Sequence, residues 1–210
     1  MSKLEDLVMQ GWMSYKNKVA NGLLVPENEK MMQLHLAQIY QTLAPVFEYE
    51  QNESIKVLLE VPVTIGSGVD RIIDIVLSHT LDKNTTCYPV ELKCFRLFTR
   101  AGQGKRGAQN LGMYDYWVDV ENIEGYSELG GYATAFQFTL TDDRYYVETE
   151  HRGSQVAMYS TNKNRRGVTG LLQYTIANRE GKILLRRTYS TGAWEAIGEF
   201  YFISQNVNRA

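Results

Sequence analysis

The chain has 210 residues, a size at which one hydrophobic core still suffices, so we expect a single domain over 1–210. Apolar residues make up 44% and charged residues 22%, a composition that excludes long disorder. No apolar run approaches the roughly 20 residues that cross a bilayer, and the polar N-terminus does not resemble a signal peptide. The net charge of −2 excludes a uniformly basic nucleic-acid binder, so binding to nucleic acid would need a local positive patch.

The two cysteines and three histidines argue against a disulfide or a structural zinc site. Cys87 and Cys94 are seven positions apart in one predicted strand, and an odd separation places them on opposite faces of it. Free thiols in a cytoplasmic protein are therefore expected. The histidines are scattered, with no CxxC or HxxxH spacing, which excludes the usual zinc patterns.

The first half of the chain predicts two helices followed by three strands. Apolar residues recur at helical spacing over 4–20, and a second helix follows Pro26 and ends at Pro45. Aliphatic, β-branched segments then predict a three-stranded meander, with turn residues between the strands. These strands are expected at 55–63, 69–77 and 88–95.

The second half of the chain begins with a stretch rich in glycine and basic residues at 99–107. A helix at 108–120 and a strand at 134–141 are predicted next, followed by alternating segments that indicate antiparallel β-hairpins. These segments cover 170–177, 182–189 and 199–204. No repeat or linker is apparent, so a single mixed α/β domain is the economical prediction.

Three charged residues of the second and third strands point to chemistry. Asp74 stands inside the aliphatic segment RIIDIVL, where a carboxylate must be paired or must bind a metal. Glu91 and Lys93 are two positions apart in PVELKCF, so both face the same side of their strand. If the two strands form a hairpin, Asp74 lies near Glu91. The alternative interpretation is a structural ion pair on a half-exposed sheet.

Two other acidic residues, Glu180 and Asp70, fit this pattern less well. A second Glu-x-Lys triplet, Glu180-Gly181-Lys182, lies in a predicted turn and has no upstream strand aspartate, so we interpret it as a chance match. Asp70 precedes the aliphatic segment and is expected to be solvated.

The segments RIIDIVL at 71–77 and YPVELKCF at 88–95 resemble motifs II and III of the PD-(D/E)xK nuclease superfamily, which includes restriction endonucleases and Holliday-junction resolvases. This resemblance implies an α/β (α+β) fold with a restriction-endonuclease-like αβββαβ core and a mixed central sheet, and residues 27–141 follow that order. The N-terminal helix at 4–20 and a β-rich extension with antiparallel β-hairpins at about 145–205 would complete the domain. The extension matches no family pattern.

By this resemblance, Asp74 and Glu91 bind Mg²⁺, with Leu92 as a further metal contact, and Lys93 is catalytic. Mn²⁺ is expected to substitute for Mg²⁺. Magnesium prefers one or two carboxylates together with waters and phosphate oxygens, and it promotes attack on a phosphodiester. A nearby ammonium can orient the attacking water or stabilise the developing charge.

The resemblance also assigns residues on the helices of the core. Members of the superfamily often carry a Glu on the first core helix, and Glu29 fits that position best, with Gln33 as the alternative. The structural interpretation of Glu29 is a charge stabilised by the helix dipole. Residues in or after the glycine-rich stretch are expected to contact nucleic acid, unless that stretch is a solvated loop. These residues are Gln103, Lys105, Arg106 and Gln109. The segment 162–166 (NKNRR) is expected to be an exposed turn, with a second phosphate contact as the alternative.

The sequence therefore predicts a metal-dependent endodeoxyribonuclease that acts on DNA. Because cutting both strands of a duplex usually calls for two active sites, a homodimer with two-fold symmetry is expected. The alternatives are a structure-specific or single-strand repair nuclease, and a non-catalytic DNA-binding module on the same fold. No organic cofactor and no membrane partner are predicted.

Overall fold

The structure is a computed structural model that describes residues 2–66, 68–98, 104, 107–151, 155–173, 175 and 181–209. It is a mixed α/β fold with one six-stranded sheet and helices packed on it. No helix in the described part of the chain is long and apolar enough to cross a membrane.

Two N-terminal helices cover one face of the sheet. Helix α1 (Lys3–Ala20) begins at a capping box in which the Ser2 hydroxyl accepts from the Glu5 amide. Helix α2 (Glu29–Leu43) begins at Asn28, whose side chain accepts from the Met31 amide at 2.9 Å. A 3₁₀ helix (Ala44–Phe47) follows α2. Both predicted helices are confirmed, and the Asn28 cap fixes Glu29 as the first residue of α2.

The central sheet has the strand order β1-β2-β3-β4-β8-β7. Strands β1, β2 and β3 form the predicted antiparallel meander, whereas β3 and β4 are parallel and β4, β8 and β7 are antiparallel. The strands are β1 (Glu53–Ile65), β2 (Val69–Leu81), β3 (Asn84–Phe95), β4 (Ala135–Thr141), β7 (Glu195–Ile197) and β8 (Phe200–Val207). The mixed sheet that the sequence predicts is therefore present.

Helix α3 (Gln109–Ser127) connects the parallel strands β3 and β4 and covers the other face of the sheet. A second hydrophobic core lies there, with Trp117 and Ile123 of α3 completely buried. The first core lies under α1 and α2, where Trp12 stacks on Phe138 with ring centroids 4.5 Å apart. Cys94 belongs to the first core and Cys87 packs on the second, so the predicted opposite-facing free cysteines are confirmed.

The long β1–β2 hairpin changes the face that it buries halfway along. Ile55 and Ile75 pack in the core under α1 and α2, but Val61 and Ile73 pack in the core under α3. Strict alternation would keep residues of equal parity on one face. The change falls at Glu60, whose φ of 53° is a left-handed conformation. The hairpin is therefore kinked at Glu60 and at Asp74 beside it.

The structure corrects the predicted end of helix α3. Helix α3 continues to Ser127 instead of ending at residue 120, because its later polar residues are buried with partners. For example, the Glu124 carboxylate accepts from the Tyr189 hydroxyl at 2.8 Å and from two backbone amides. The short helix α4 is Tyr145–Glu148, and a 3₁₀ helix spans Gln155–Tyr159.

The predicted β-rich extension is not a separate set of hairpins. Strands β5 (Val168–Gln173) and β6 (Lys182–Tyr189) do form an antiparallel pair outside the central sheet. Strands β7 and β8, however, extend the central sheet beside β4. Every residue of β4 is buried, so this strand needs a neighbour on each edge, and β8 provides the second one.

Candidate active site

Asp74 lies where strands β2 and β3 separate. Their regular pairing runs from the turn to Ile75 opposite Val90 and ends there. The next residue of β2 is Asp74, and its Oδ2 accepts a hydrogen bond from the Leu92 amide at 2.8 Å. The carboxylate thus takes the place of a backbone partner, which fixes it beside β3 where the regular pairing ends.

Glu91 projects from β3 toward α3 and is buried, with 5% of its surface exposed. It lies close enough to Asp74 for the two carboxyl groups to affect each other's pKa, and burial, the largest cause, raises the pKa of Asp74. On its other side, Glu91 Oε1 accepts from the Tyr126 hydroxyl at 2.6 Å. The strand meander therefore brings the two predicted metal ligands close together.

Lys93 lies two residues beyond Glu91 and between two carboxylates. Its Nζ is 2.9 Å from Asp119 Oδ2 of α3 and 3.3 Å from Glu29 Oε2 of α2. Burial alone would lower the pKa of Lys93, but Asp119 and Glu29 raise it overall. Lys93 is thus held as an ammonium, with helices from opposite faces of the sheet on either side of it.

The cluster carries an excess of acid. Glu29, Asp74, Glu91 and Asp119 contribute four carboxyl groups against the single charge of Lys93. Burial, followed by the charges of Asp119 and Asp74, raises the pKa of Glu91 well above its usual range. Burial raises the pKa of Asp119 to about 7 although Lys93 acts in the opposite direction. Such raised values mark a site that favours an additional cation or proton.

Asp74 and Glu91 supply two neighbouring carboxyl groups, the ligand type that Mg²⁺ prefers. Leu92 has an apolar side chain, so this residue can contribute only its carbonyl oxygen, which accepts from Lys93 Nζ at 3.3 Å. No three His, Cys, Asp or Glu side chains in the described ranges are grouped closely enough to hold a metal ion alone. Water and phosphate oxygens would complete the coordination of Mg²⁺.

Gln33 holds the kink of the hairpin next to the cluster. Its amide nitrogen donates to Glu60 Oε1 and to the Asp74 carbonyl oxygen, each at 2.6 Å. Lys30 forms an ion pair with the same Glu60 carboxylate. Gln33, the alternative to Glu29 in the sequence interpretation, thus supports the backbone of Asp74, whereas Glu29 contacts Lys93.

The left-handed conformation of Glu60 predicts an unusual order of stability among substitutions. Glu60→Gly and Glu60→Ala both remove the carboxylate, so their difference isolates the backbone. We expect the glycine variant to be more stable by about 1 kcal/mol, because a left-handed conformation is costly for a residue with a Cβ. Chemical denaturation of both variants measures this difference.

Lys56 provides the control for that comparison, since it is exposed on the same strand and has no positive φ. There the glycine variant should be the less stable one by about 0.5–1 kcal/mol. The same order at both positions would contradict the assignment of backbone strain to Glu60.

The cluster opens toward solvent at Glu29, whose side chain is 38% exposed, compared with 16% for Lys93. Among the residues predicted to contact nucleic acid, Gln103, Lys105 and Arg106 lie outside the described residues. Gln109 begins α3, about 15 Å along the helix axis from Asp119, and donates to Asp143 at 3.4 Å. The structure therefore places Gln109 away from the carboxylates.

Two other predicted features have a structural explanation. Asp70 is exposed and accepts from the Thr64 hydroxyl at 2.8 Å, as expected for a solvated residue. The segment 162–166 is not a simple exposed turn, because Arg165 donates to the carbonyl oxygens of Ala157, Ser160 and Met158. Its guanidinium also lies 5.3 Å from the centre of the Trp117 ring. This arginine is committed to the fold.

The sequence interpretation missed Asp119 and Tyr126. They are seven residues apart, which is about two helical turns, so they lie on one face of α3. Asp119 stands between Val118 and Val120, and a carboxylate among apolar helix neighbours was a usable signal. Tyr126 lay beyond the predicted end of the helix and gave no comparable signal.

Comparison of the chain with protein-family models, with curated proteins and with solved structures finds no match. The assignment of a function therefore depends on the geometry of the cluster and on the motif resemblance.

Proposed function

We propose that this protein is a Mg²⁺-dependent endodeoxyribonuclease of the PD-(D/E)xK type. The observation that carries the proposal is the convergence of Asp74, Glu91, Lys93 and Glu29 in one acidic cluster where the pairing of β2 and β3 ends. Glu29, whose side chain is 38% exposed, marks the side from which a phosphodiester would approach. Buried carboxyl groups crowded beside one another are costly for stability, which favours a functional over a purely structural role.

Each group has a role in phosphodiester hydrolysis. Asp74 and Glu91 would hold Mg²⁺, which supplies electrostatic polarisation of the phosphate oxygens. Lys93 would place a positive charge beside the attacking water and the phosphate, because the raised pKa keeps it an ammonium. Glu29 binds Lys93 on the solvent-exposed side of the cluster.

The substrate and the assembly follow from the same proposal. Double-stranded DNA is the expected substrate, and cleavage of both strands requires two sites, which a two-fold homodimer would supply. A monomer with one site would release nicked circles from a supercoiled plasmid, whereas a dimer would release linear DNA. The ratio of nicked to linear product, measured together with the mass in solution, therefore reports on the assembly.

The test is cleavage of a supercoiled plasmid with Mg²⁺, with Mn²⁺ and with a chelator. Asp74→Asn should abolish cleavage, since an amide is a poor ligand for Mg²⁺. Asp70→Asn is the matched control, because Asp70 lies on the same strand, is exposed, and bonds to Thr64. This control should cut at the wild-type rate.

Single-stranded and branched DNA are included as substrates. Cleavage of these alone would redirect the proposal to a repair nuclease. No cleavage of any substrate, together with no Mg²⁺ or Mn²⁺ binding by calorimetry, would contradict the proposal and favour a non-catalytic DNA-binding module.

A further inference from the structure

Helix α3 holds both halves of the cluster from the side opposite to α2. Asp119 forms the 2.9 Å ion pair with Lys93 Nζ, and Tyr126 donates to Glu91 Oε1 at 2.6 Å. Asp119 is 5% exposed and Tyr126 is fully buried. Two helical turns separate them, which matches their contacts to two side chains on one face of β3.

We infer that Asp119 and Tyr126 are positioning residues of the proposed nuclease, with Asp119 orienting the Lys93 ammonium and Tyr126 orienting the Glu91 carboxylate. The inference rests on the proposed function. Neither residue is assigned a metal or a substrate contact, and each acts through the group that it holds.

The two partners of Lys93 differ in a way that favours Asp119 as its anchor. The Asp119 oxygen is nearer to Nζ than the Glu29 oxygen, and the Asp119 side chain is 8% exposed, compared with 38% for Glu29. Ion pairs that exclude water are screened less than those at the surface. Lysine also has a flexible four-carbon stem, so a buried carboxylate is an effective way to fix its direction.

A purely structural role explains these contacts less well. The same face of α3 already packs through Met113, Tyr116, Val120 and Ile123, all of them fully buried. An apolar side chain at 119 would extend this packing without the cost of a buried charge. Asp119 is therefore best explained by the group it holds.

The first experiment measures cleavage by Asp119→Asn over a range of DNA and Mg²⁺ concentrations. We expect kcat to fall about 10–100-fold, as for other residues that orient catalytic groups, with KM and the half-saturating Mg²⁺ concentration within about 3-fold of wild type. In a Lys93→Ala background the same substitution should cause no further loss, because Asp119 acts through Lys93. Asp115→Asn, the same charge change one turn earlier on α3, is the control.

The second experiment replaces Tyr126 with phenylalanine. The half-saturating Mg²⁺ concentration should rise about 10-fold, while kcat at saturating Mg²⁺ stays near the wild-type value. Calorimetric titration with Mn²⁺ gives the same comparison without DNA. An unchanged Mn²⁺ affinity would overturn the assignment of Tyr126.

A third measurement depends neither on activity nor on a variant that folds. In ¹⁵N-labelled wild-type protein, we expect a protected Lys93 ammonium signal with nuclear Overhauser contacts to the β protons of Asp119. Absence of these contacts, or equal losses from Asp119→Asn with and without Lys93, would overturn the assignment of Asp119. If wild-type protein cuts no DNA, the proposed function fails, and the ammonium signal and Mn²⁺ titrations still decide whether α3 positions the two groups.

Discussion

Replacing Lys93 with alanine is expected to lower the rate of Mg²⁺-dependent DNA cleavage about 10³-fold while Mg²⁺ still binds. Lys93 is the ammonium nearest the two predicted ligands along β3, and removal of one such charge-stabilising donor typically has an effect of this size. Metal binding should persist, because Asp74 and Glu91 are unchanged. The Lys93 ammonium would also no longer repel the metal ion. Plasmid cleavage and calorimetric Mn²⁺ titration measure the two effects separately.

Two controls make this result interpretable. Lys56→Ala removes a lysine from the exposed side of β1 and should cut at the wild-type rate. Lys93→Gln keeps a polar donor of similar length and guards against loss of folding, since removal of Lys93 leaves Asp119 buried without its partner. A Lys93 variant that folds and keeps a tenth or more of the wild-type rate would contradict the catalytic assignment.

The stability of the metal-free protein should fall as the pH rises from about 4 to about 8. In the unfolded chain, aspartate and glutamate ionise near pH 4, but burial raises the pKa of Asp119 to about 7 in the fold. Between these values the folded protein binds more protons than the unfolded chain, so each increase in pH favours unfolding. Burial also raises the pKa of Glu91, so ionisation of this residue likewise lowers the stability of the fold as the pH rises. A loss of up to about 4 kcal/mol is expected across this range, because each unit of pKa shift corresponds to about 1.4 kcal/mol.

Glu53 makes the stability of the fold decrease as the pH falls, which is opposite to the effect of the buried cluster. Lys3 and the Tyr49 amide, the two largest causes, lower the pKa of Glu53 to about 2. The stability that this carboxylate contributes is therefore present above about pH 4.5 and is lost as the pH falls toward 2. Together with the buried cluster, this predicts a stability maximum near pH 5 in the presence of a chelator.

Thermal unfolding over this pH range, in chelator and in Mg²⁺, tests the prediction. Mg²⁺ should raise the melting temperature at pH 8, where it replaces protons that have left the cluster, and should have little effect near pH 5. In chelator, the melting temperature of Asp119→Asn should fall less steeply above pH 5 than that of the wild type, since the amide does not ionise. A melting temperature in chelator that rises steadily from pH 5 to pH 8 would contradict the raised pKa values.

The strand pattern was enough to predict part of the site. Two-residue spacing placed Glu91 and Lys93 on one face, and the short turn before β3 implied the pairing that brings Asp74 beside Glu91. These inferences depend on local geometry, which the sequence encodes directly. Pro26 and the helical periodicity likewise predicted the first core helix with Glu29 in its first turn, whereas the role of Glu29 in the site comes only from the motif resemblance.

The remaining features depend on tertiary structure. Apolar residues occupy both faces of β2 around Asp74, so no alternation in the sequence indicates that the hairpin changes faces there. The left-handed Glu60 has no glycine or asparagine to signal it. The role of Asp119 required the crossover of α3 above β3, because a helix pattern alone identifies a buried face without its partner.

The cluster is assembled from residues 29 to 126, which reach it from α2, β2, β3 and α3. Such long sequence separations make the site a nonlocal product of folding that forms after the local turns and helices. During synthesis the chain is released from its N-terminus onward, so no complete cluster exists until α3 has emerged and docked. A truncated or nascent chain that stops before α3 lacks both anchors of Lys93 and Glu91, so the hydrolytic activity proposed for the whole chain would be withheld from unfinished copies.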